Sequence, residues 1–217
     1  MRETAEIEGF RAMIRILFVC HGNICRSPIG EFVMKDIVKK QGLADAFYIE
    51  SAATSTEEIW HGVGNPIYPP AKAKLLQYGI GTPDNELGVK DKRARQTTRA
   101  DYDRFDFLIG MDTANVRNMT RIYGGDPEGK VFKMLDFADN RKEYGTGHSA
   151  DVADPWYTGD FDATWRDVSD GCHGLFRTIL TDPRFSDILA DSDSKNDDFQ
   201  AFQDSEHGRT YDDFPRG

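Results

Sequence analysis

A chain of 217 residues with 39% apolar and 29% charged side chains has enough material for one hydrophobic core and is too rich in apolar residues to be read as disordered. It has no apolar run long enough to span a bilayer. Glu3, Glu6 and Glu8 stand where a secretory signal would need apolar residues, and three cysteines are too few for a disulfide framework, so a reducing cytoplasm is the expected setting. The net charge of −10 speaks against a nucleic-acid partner, and about half of it falls in the last 27 residues, with eight acidic and three basic side chains.

In chain order, residues 1–13 read as an N-terminal extension and residues 14–19 as a buried strand. Cys20-His21-Gly22-Asn23-Ile24-Cys25-Arg26-Ser27 follows, and then Pro28 and a helix to Lys40 with Ile29, Phe32, Val33 and Ile37 on one face. A cysteine followed six positions later by arginine, at a strand-to-helix turn, is the layout of a nucleophile inside an anion-binding loop. The free N–H groups and dipole of a helix start attract anions, and an arginine fork matches two phosphoryl oxygens. Gly22 and Asn23 are the two residues there that best tolerate unusual backbone angles, so that successive N–H groups can point inward as a nest. Pro28 suits the first helical position. The same field favours the thiolate of Cys20, and Ser27 can donate a hydrogen bond to it. Cys25 either fills space at the loop base or captures an oxidised Cys20 as a disulfide. His21 is expected to point outward.

Gly42 stops the helix, and residues 47–53 read as the second strand. A Gly/Pro-bearing loop leads to a helix over residues 71–78, which Gly79 ends. Residues 105–111 are a third strand, Asp112 caps a helix over 113–123, and residues 131–135 are the last strand. Residues 136–159 read mostly as loop and contain Asp154, which Pro155 biases toward extended backbone. A long helix over 161–181 places Trp165, Val168, Cys172, Leu175 and Ile179 on one side. Beyond residue 185 the chain reads as an acidic flexible tail, with Phe199, Phe202, Tyr211 and Phe214 as its aromatic residues. Strands alternating with helices give an α/β fold: a single domain over residues 14–185 with a doubly wound sheet. In such sheets ligands bind at the carboxyl ends of strands, where Cys20 lies.

The run Val19 to Pro28 resembles the signature of the low-molecular-weight protein-tyrosine phosphatases. The resemblance extends over residues 14–183: Ser51-Ala52-Ala53-Thr54-Ser55, Trp60, Gly64-Asn65-Pro66, Ala94-Arg95-Gln96, Met111-Asp112 and Asp154-Pro155-Trp156-Tyr157 are similar to later landmarks of that family, in order. It implies a four-stranded parallel twisted sheet with helices on both faces, and hydrolysis of aryl phosphates, typically phosphotyrosine, without metal or cofactor. Carried over residue by residue, it implies Cys20 as nucleophile, Arg26 as the phosphate-binding group and Asp154 as general acid and then base. His21, Gly22, Asn23, Ile24, Cys25 and Ser27 form the phosphate loop, Ser51 supports it, and Trp60, Trp156 and Tyr157 wall the cleft. The implied partners are phosphotyrosine-bearing proteins, a tyrosine kinase among the candidates, with inorganic phosphate and other oxyanions as inhibitors. A monomer is the default.

The chain departs from the family pattern at Lys92, where members often carry a histidine in the loop's supporting network. It also departs in the length of residues 82–92 and in Trp156-Tyr157, where two tyrosines are usual. Two rivals share the fold. An arsenate reductase normally needs a resolving cysteine pair, which residues 82–99 lack; Cys25 and Cys172 are the spare thiols, and a glutathione- or mycothiol-type partner could stand in for a missing cysteine. A non-catalytic phosphate-binding module would bind without turnover. No zinc-ligand spacing, Walker loop or dinucleotide glycine pattern is present.

Overall fold

The computed structural model describes residues 13–138 and 151–193. In chain order the elements are β1 (Ile14–Cys20), α1 (Arg26–Lys40), β2 (Phe47–Ala53), β3 (Ile59–Trp60), β4 (Val63–Gly64), α2 (Pro69–Gln77), α3 (Arg99–Arg104), β5 (Phe107–Gly110), α4 (Thr113–Tyr123), β6 (Val131–Lys133), α5 (Pro155–Thr158), α6 (Phe161–Leu180) and α7 (Ser186–Asp193). Among the described residues, β2-β1-β5-β6 form a four-stranded parallel sheet.

Both faces of the central strand β1 are covered, so its sequence is a continuous apolar run rather than an alternation. Ile14, Ile16, Phe18 and Cys20 face one layer, where α1 and α6 pack. Leu17 and Val19 face the other, closed by Tyr102 and Phe105 from α3 and its end, and by Met119 and Tyr123 of α4. The strand therefore ends with Cys20 on the α1 side of the sheet, at its carboxyl edge.

The expected α/β fold, four strands and main helices are present, with shifts of a few residues at the ends of the elements. α1 begins at Arg26, so Pro28 is its third residue rather than its first; it still lies in the turn whose N–H groups have no helical partner. The last strand stops at Lys133, because residues Met134–Asp136 wind into a 3₁₀ turn closed by Asp136 on the N–H of Lys133 (2.7 Å). The tail assignment from residue 186 is corrected: Ser186–Asp193 is helical and buries Leu189 and Ser192. Leu189, with Ile188 half-buried beside it against the same core, docks this short helix, whose other positions include three aspartates. The N-terminal extension to residue 12 and residues 194–217 lie outside the described residues.

Candidate active site

The loop after β1 is shaped by its own residues. Asn23 takes the left-handed conformation (φ 59°), whereas Gly22 does not. Gly22 is needed for a different reason: a Cβ there would sit 2.9 Å from Cγ of Glu58. The end of β2 closes over the loop, with Thr54 N donating to the carbonyl of Cys20 (2.9 Å) and Ser55 N to that of His21 (3.0 Å). Ile24 is buried and its carbonyl accepts from Tyr68 N (2.9 Å), which ties the loop to the start of α2.

Cys20 is 3% exposed, and its Sγ lies 3.1 Å from Ser27 Oγ and 3.3 Å from the donating N–H of Asn23. A chain of buried hydrogen bonds leads away from it. Asn23 Nδ2 donates to Ser27 Oγ (2.9 Å) and to Ser51 Oγ (2.8 Å), and its Oδ1 accepts from Arg95 N (3.1 Å). Ser51 Oγ donates to Glu31 Oε2 (2.6 Å), which also takes Lys92 Nζ at 3.0 Å. Lys92 Nζ in turn reaches the carbonyl of Ser51 (2.9 Å). An ionised carboxylate only accepts and a backbone N–H only donates, so both ends dictate the polarity of the chain. Ser51 must give its proton to Glu31, and Asn23 must turn its NH₂ toward the two serines. Ser27, already receiving from Asn23, has one proton left, which faces both the sulfur (3.1 Å) and the carbonyl of Ala52 (3.3 Å). Lys92 thus stands inside the supporting network as an ammonium paired with a buried glutamate.

Glu31 is 4% exposed. Burial works against its charge, but Lys92, Lys35 and the Ser51 hydroxyl outweigh that and hold the carboxyl below the usual glutamate range. Cys25, at the N-cap of α1, is pushed the other way: burial first, then the neighbouring Cys20, favour its neutral thiol. Cys172 is fully buried, its thiol held neutral by burial alone, and it faces the carbonyl of Gly30 (3.6 Å). His21 points outward, as expected, and its Nε2 pairs with Glu57 (2.8 Å).

Arg26 is 3% exposed and gathers the acidic groups. Its Nη1 donates to Asp112 Oδ2 (2.6 Å) and to the carbonyl of Val152 (3.1 Å), and its Nη2 to Asp154 Oδ2 (2.5 Å). Among the described residues, the Nε–H and one Nη2–H have no protein acceptor. Asp154 also caps α5, accepting from Trp156 N through its other oxygen (3.0 Å). Cys20, Ser27, Asn23, Ser51, Arg26 and Asp154 are therefore joined by the loop and its contacts. Of the three aromatic residues, Trp156 packs on Tyr68 (centroids 5.4 Å), close to the loop through the Tyr68 N–H. Trp60 stands on a two-residue type I′ hairpin turn made by His61 and Gly62 (φ 50° and 81°) and is 66% exposed, and Tyr157 is 86% exposed. Among the described residues no cluster of three or more His, Cys, Asp or Glu side chains could hold a metal ion.

Sequence reasoning does not single out Glu31, Asp112 as a partner of Arg26, or Tyr68. A glutamate on the buried face of a helix that should carry only apolar side chains is the one signal available for Glu31.

A parallel α/β sheet whose first strand delivers a cysteine into an anion loop closed by an arginine defines a cysteine-dependent phosphatase. The chain belongs to the low molecular weight phosphotyrosine protein phosphatase family, whose model matches residues 15–184. It is 34% identical over 167 residues to the low molecular weight protein-tyrosine-phosphatase YfkJ of Bacillus subtilis, covering 77% of this chain and 96% of that one. It is 38% identical over 148 residues to the low molecular weight phosphotyrosine protein phosphatase of Schizosaccharomyces pombe, covering 67% and 83%. The crystal structure of SP-PTP, the low molecular weight protein tyrosine phosphatase from Streptococcus pyogenes, superposes with a TM-score of 0.61 at 36% identity, covering 80% of this chain and 97% of that one. The protein is thus a cysteine-dependent, metal-independent protein-tyrosine phosphatase. Among the described residues no helix is long and apolar enough to cross a membrane.

Proposed function

We propose that the protein hydrolyses phosphotyrosine in proteins through a phosphocysteine on Cys20. The observation that carries this is the pairing of Arg26 with Asp154 at 2.5 Å, within a loop whose hydrogen bonds converge on the Cys20 sulfur. Phosphoryl transfer needs positioning and charge stabilisation above all. The Nε and Nη2 edge of Arg26, with the amides of residues Gly22 to Arg26, would take the equatorial oxygens. Cys20 Sγ forms a bond to phosphorus in line with the ester oxygen, whose bond to phosphorus breaks. Bound phosphate displaces Asp154 from Arg26, and the carboxyl, entering that complex protonated, gives its proton to the departing phenolate. As carboxylate it then takes a proton from water, whose oxygen displaces the thiolate and releases inorganic phosphate. Asn23, Ser27 and Ser51 hold the loop and ease departure of the sulfur. Trp60, Trp156 and Tyr157 would line a cleft deep enough for an aryl phosphate. A cytoplasmic phosphotyrosyl protein fits this chemistry as substrate.

Cys25 and Cys172 are both buried and held neutral, which favours hydrolysis over a thiol relay such as arsenate reduction. The test is steady-state turnover of an aryl phosphate, with chelator present, by wild type, Cys20→Ser and Asp154→Ala. Robust wild-type turnover is expected, with none for Cys20→Ser and a loss of about 10²–10⁴-fold for Asp154→Ala, the scale of general acid–base catalysis. A folded, reduced wild type without turnover would overturn the reading.

A further inference from the structure

The segment that carries Asp154 is fastened to the body at three successive residues, each by a different kind of contact. The carbonyl of Ala153 shares the buried Thr164 hydroxyl of α6 (3.4 Å) with the carbonyl of Asp160 (3.1 Å). Val152, 1% exposed, donates its N–H to the carbonyl of Met111 (2.9 Å) and offers its own carbonyl to Arg26. Asp151 uses its side chain. A single oxygen, Oδ1, accepts from Thr113 N (3.0 Å), Thr113 Oγ1 (2.9 Å) and Lys133 Nζ (3.0 Å), and Lys133 Nζ also reaches Thr113 Oγ1 at 3.3 Å. Thr113 opens α4 and Lys133 ends β6.

We infer that Asp151 is a positioning residue for Asp154: its carboxylate clamps the acid-bearing loop to the start of α4 and the end of β6. The inference rests on the general-acid role proposed above. The side chain of Asp151 is 46% exposed, and an ion pair in that setting adds little to stability. What it adds is direction, because three donors from two elements converge on one oxygen, and two of them belong to one residue at a helix start, where the dipole also favours the anion. Burial opposes the charge of Asp151, but Lys133 and Thr113 keep its carboxyl below the usual range, so the clamp is ionised at neutral pH. The same helix start serves the other half of the site: Asp112, the N-cap of α4, accepts from Asn115 N (2.6 Å) and binds Arg26. The phosphate-binding arginine and the acid-bearing loop are thus referenced to one turn of one helix, through two carboxylates. Displacing a catalytic group by about 1 Å can cost up to 10²-fold in rate, so a tether three residues from Asp154 bears directly on proton delivery.

The test is kcat/KM for a series of aryl phosphates whose phenols differ in acidity. This parameter reports expulsion of the phenol and is blind to slow hydrolysis of the phosphocysteine. Asp154→Asn is the control that should steepen the dependence on leaving-group basicity. Asp151→Ala should steepen it in the same sense. Its loss on phenyl phosphate should exceed its loss on 2,4-dinitrophenyl phosphate, whose anion leaves without a proton, by about tenfold, a part of what general acid catalysis supplies. Asp151→Asn, which can still accept from Thr113, should recover most of that difference. Equal losses across the series, or a lower melting temperature alone, would overturn the proposal while leaving Asp154 as the acid. A flat response from Asp154→Asn would remove the general acid itself, and this inference with it.

Discussion

Lys92 and Glu31 show how one residue far from the reacting atoms can govern them. The pair is buried, with side chains 11% and 5% exposed, and it fixes which way the Ser51–Asn23–Ser27 hydrogen bonds run. Removing one member of a buried ion pair leaves the other uncompensated, which costs about 3–5 kcal/mol, at the lower end here because Lys35 also reaches Glu31 (2.6 Å). Lys92→Met should therefore lower stability by about 3 kcal/mol and reduce kcat, with Glu31→Gln similar. The double variant should lose clearly less than the sum of the two, measured as a double-mutant cycle in denaturant. The pH dependence has a definite sign. A carboxyl held below its unfolded value stabilises the fold fully above that value, about 4.3 for glutamate, and the contribution disappears as pH falls through the lower folded value. Wild type should lose melting temperature faster than Glu31→Gln below about pH 4.3, the ordinary glutamate value, and parallel curves would show that Glu31 is not ionised in the fold. At this scale Cys20, Arg26, Asn23, Ser27 and Ser51 are legible in the sequence because their spacing from one turn is fixed by local geometry. Glu31, the pairing of Asp112 with Arg26 and the clamp made by Asp151 are not, because the partners lie far along the chain: Asp112 meets Arg26 across 86 residues.

Among the elements, those whose limits are readable are long or fully buried. β2 spans Phe47–Ala53 and α4 spans Thr113–Tyr123, both as their patterns indicate, and α4 carries its own signals: Asp112 at the N-cap and Gly124 in the left-handed conformation at its end. The β3–β4 hairpin, α3 and α5 escape because they are too short for any periodicity to register. α3 does announce itself by a capping box, with Asp101 Oδ2 accepting from Thr98 N (2.8 Å). What no pattern reports is how closely elements approach. Gly174 lies inside α6, where exchange of glycine for alanine would ordinarily gain about 1 kcal/mol. Here a Cβ would fall 1.7 Å from the carbonyl oxygen of Phe137, a backbone atom that cannot swing aside. Overpacking of this kind costs about 1–3 kcal/mol or more, so the sign reverses. Gly174→Ala should lower the melting temperature by several degrees, at roughly 2–4 °C per kcal/mol for a domain of this size. A rise in melting temperature would mean that α6 stands further from the backbone of Phe137 than the structure places it.

For the molecule as a whole, charge is set against chemistry. A phosphatase must draw in a dianion, yet this chain carries a net charge of −10. The attraction is local: Arg26 and the first turn of α1 act at contact range, within a buried loop. The repulsion is diffuse and acts on the approach of a large substrate. Salt separates the two, because the Debye length shrinks from about 30 Å at 0.01 M to about 8 Å at 0.15 M, which screens the distant charges and leaves the buried contacts nearly untouched. For a phosphotyrosyl peptide rich in Asp and Glu, kcat/KM should therefore rise severalfold over that range of sodium chloride, a part of the 10–10³-fold span that steering covers. A small aryl phosphate, which presents little charge at long range, should change less. Residues 194–217 hold six acidic and three basic side chains and follow the last described helix, so truncation after Asp193 removes net charge without deleting any described element. The truncated enzyme should show a flatter salt response toward the acidic peptide and unchanged turnover of the aryl phosphate. Were kcat/KM for the acidic peptide to fall with salt instead, attraction by basic groups at the rim of the site would outweigh the net charge, and acidic sequences flanking the phosphotyrosine would be favoured.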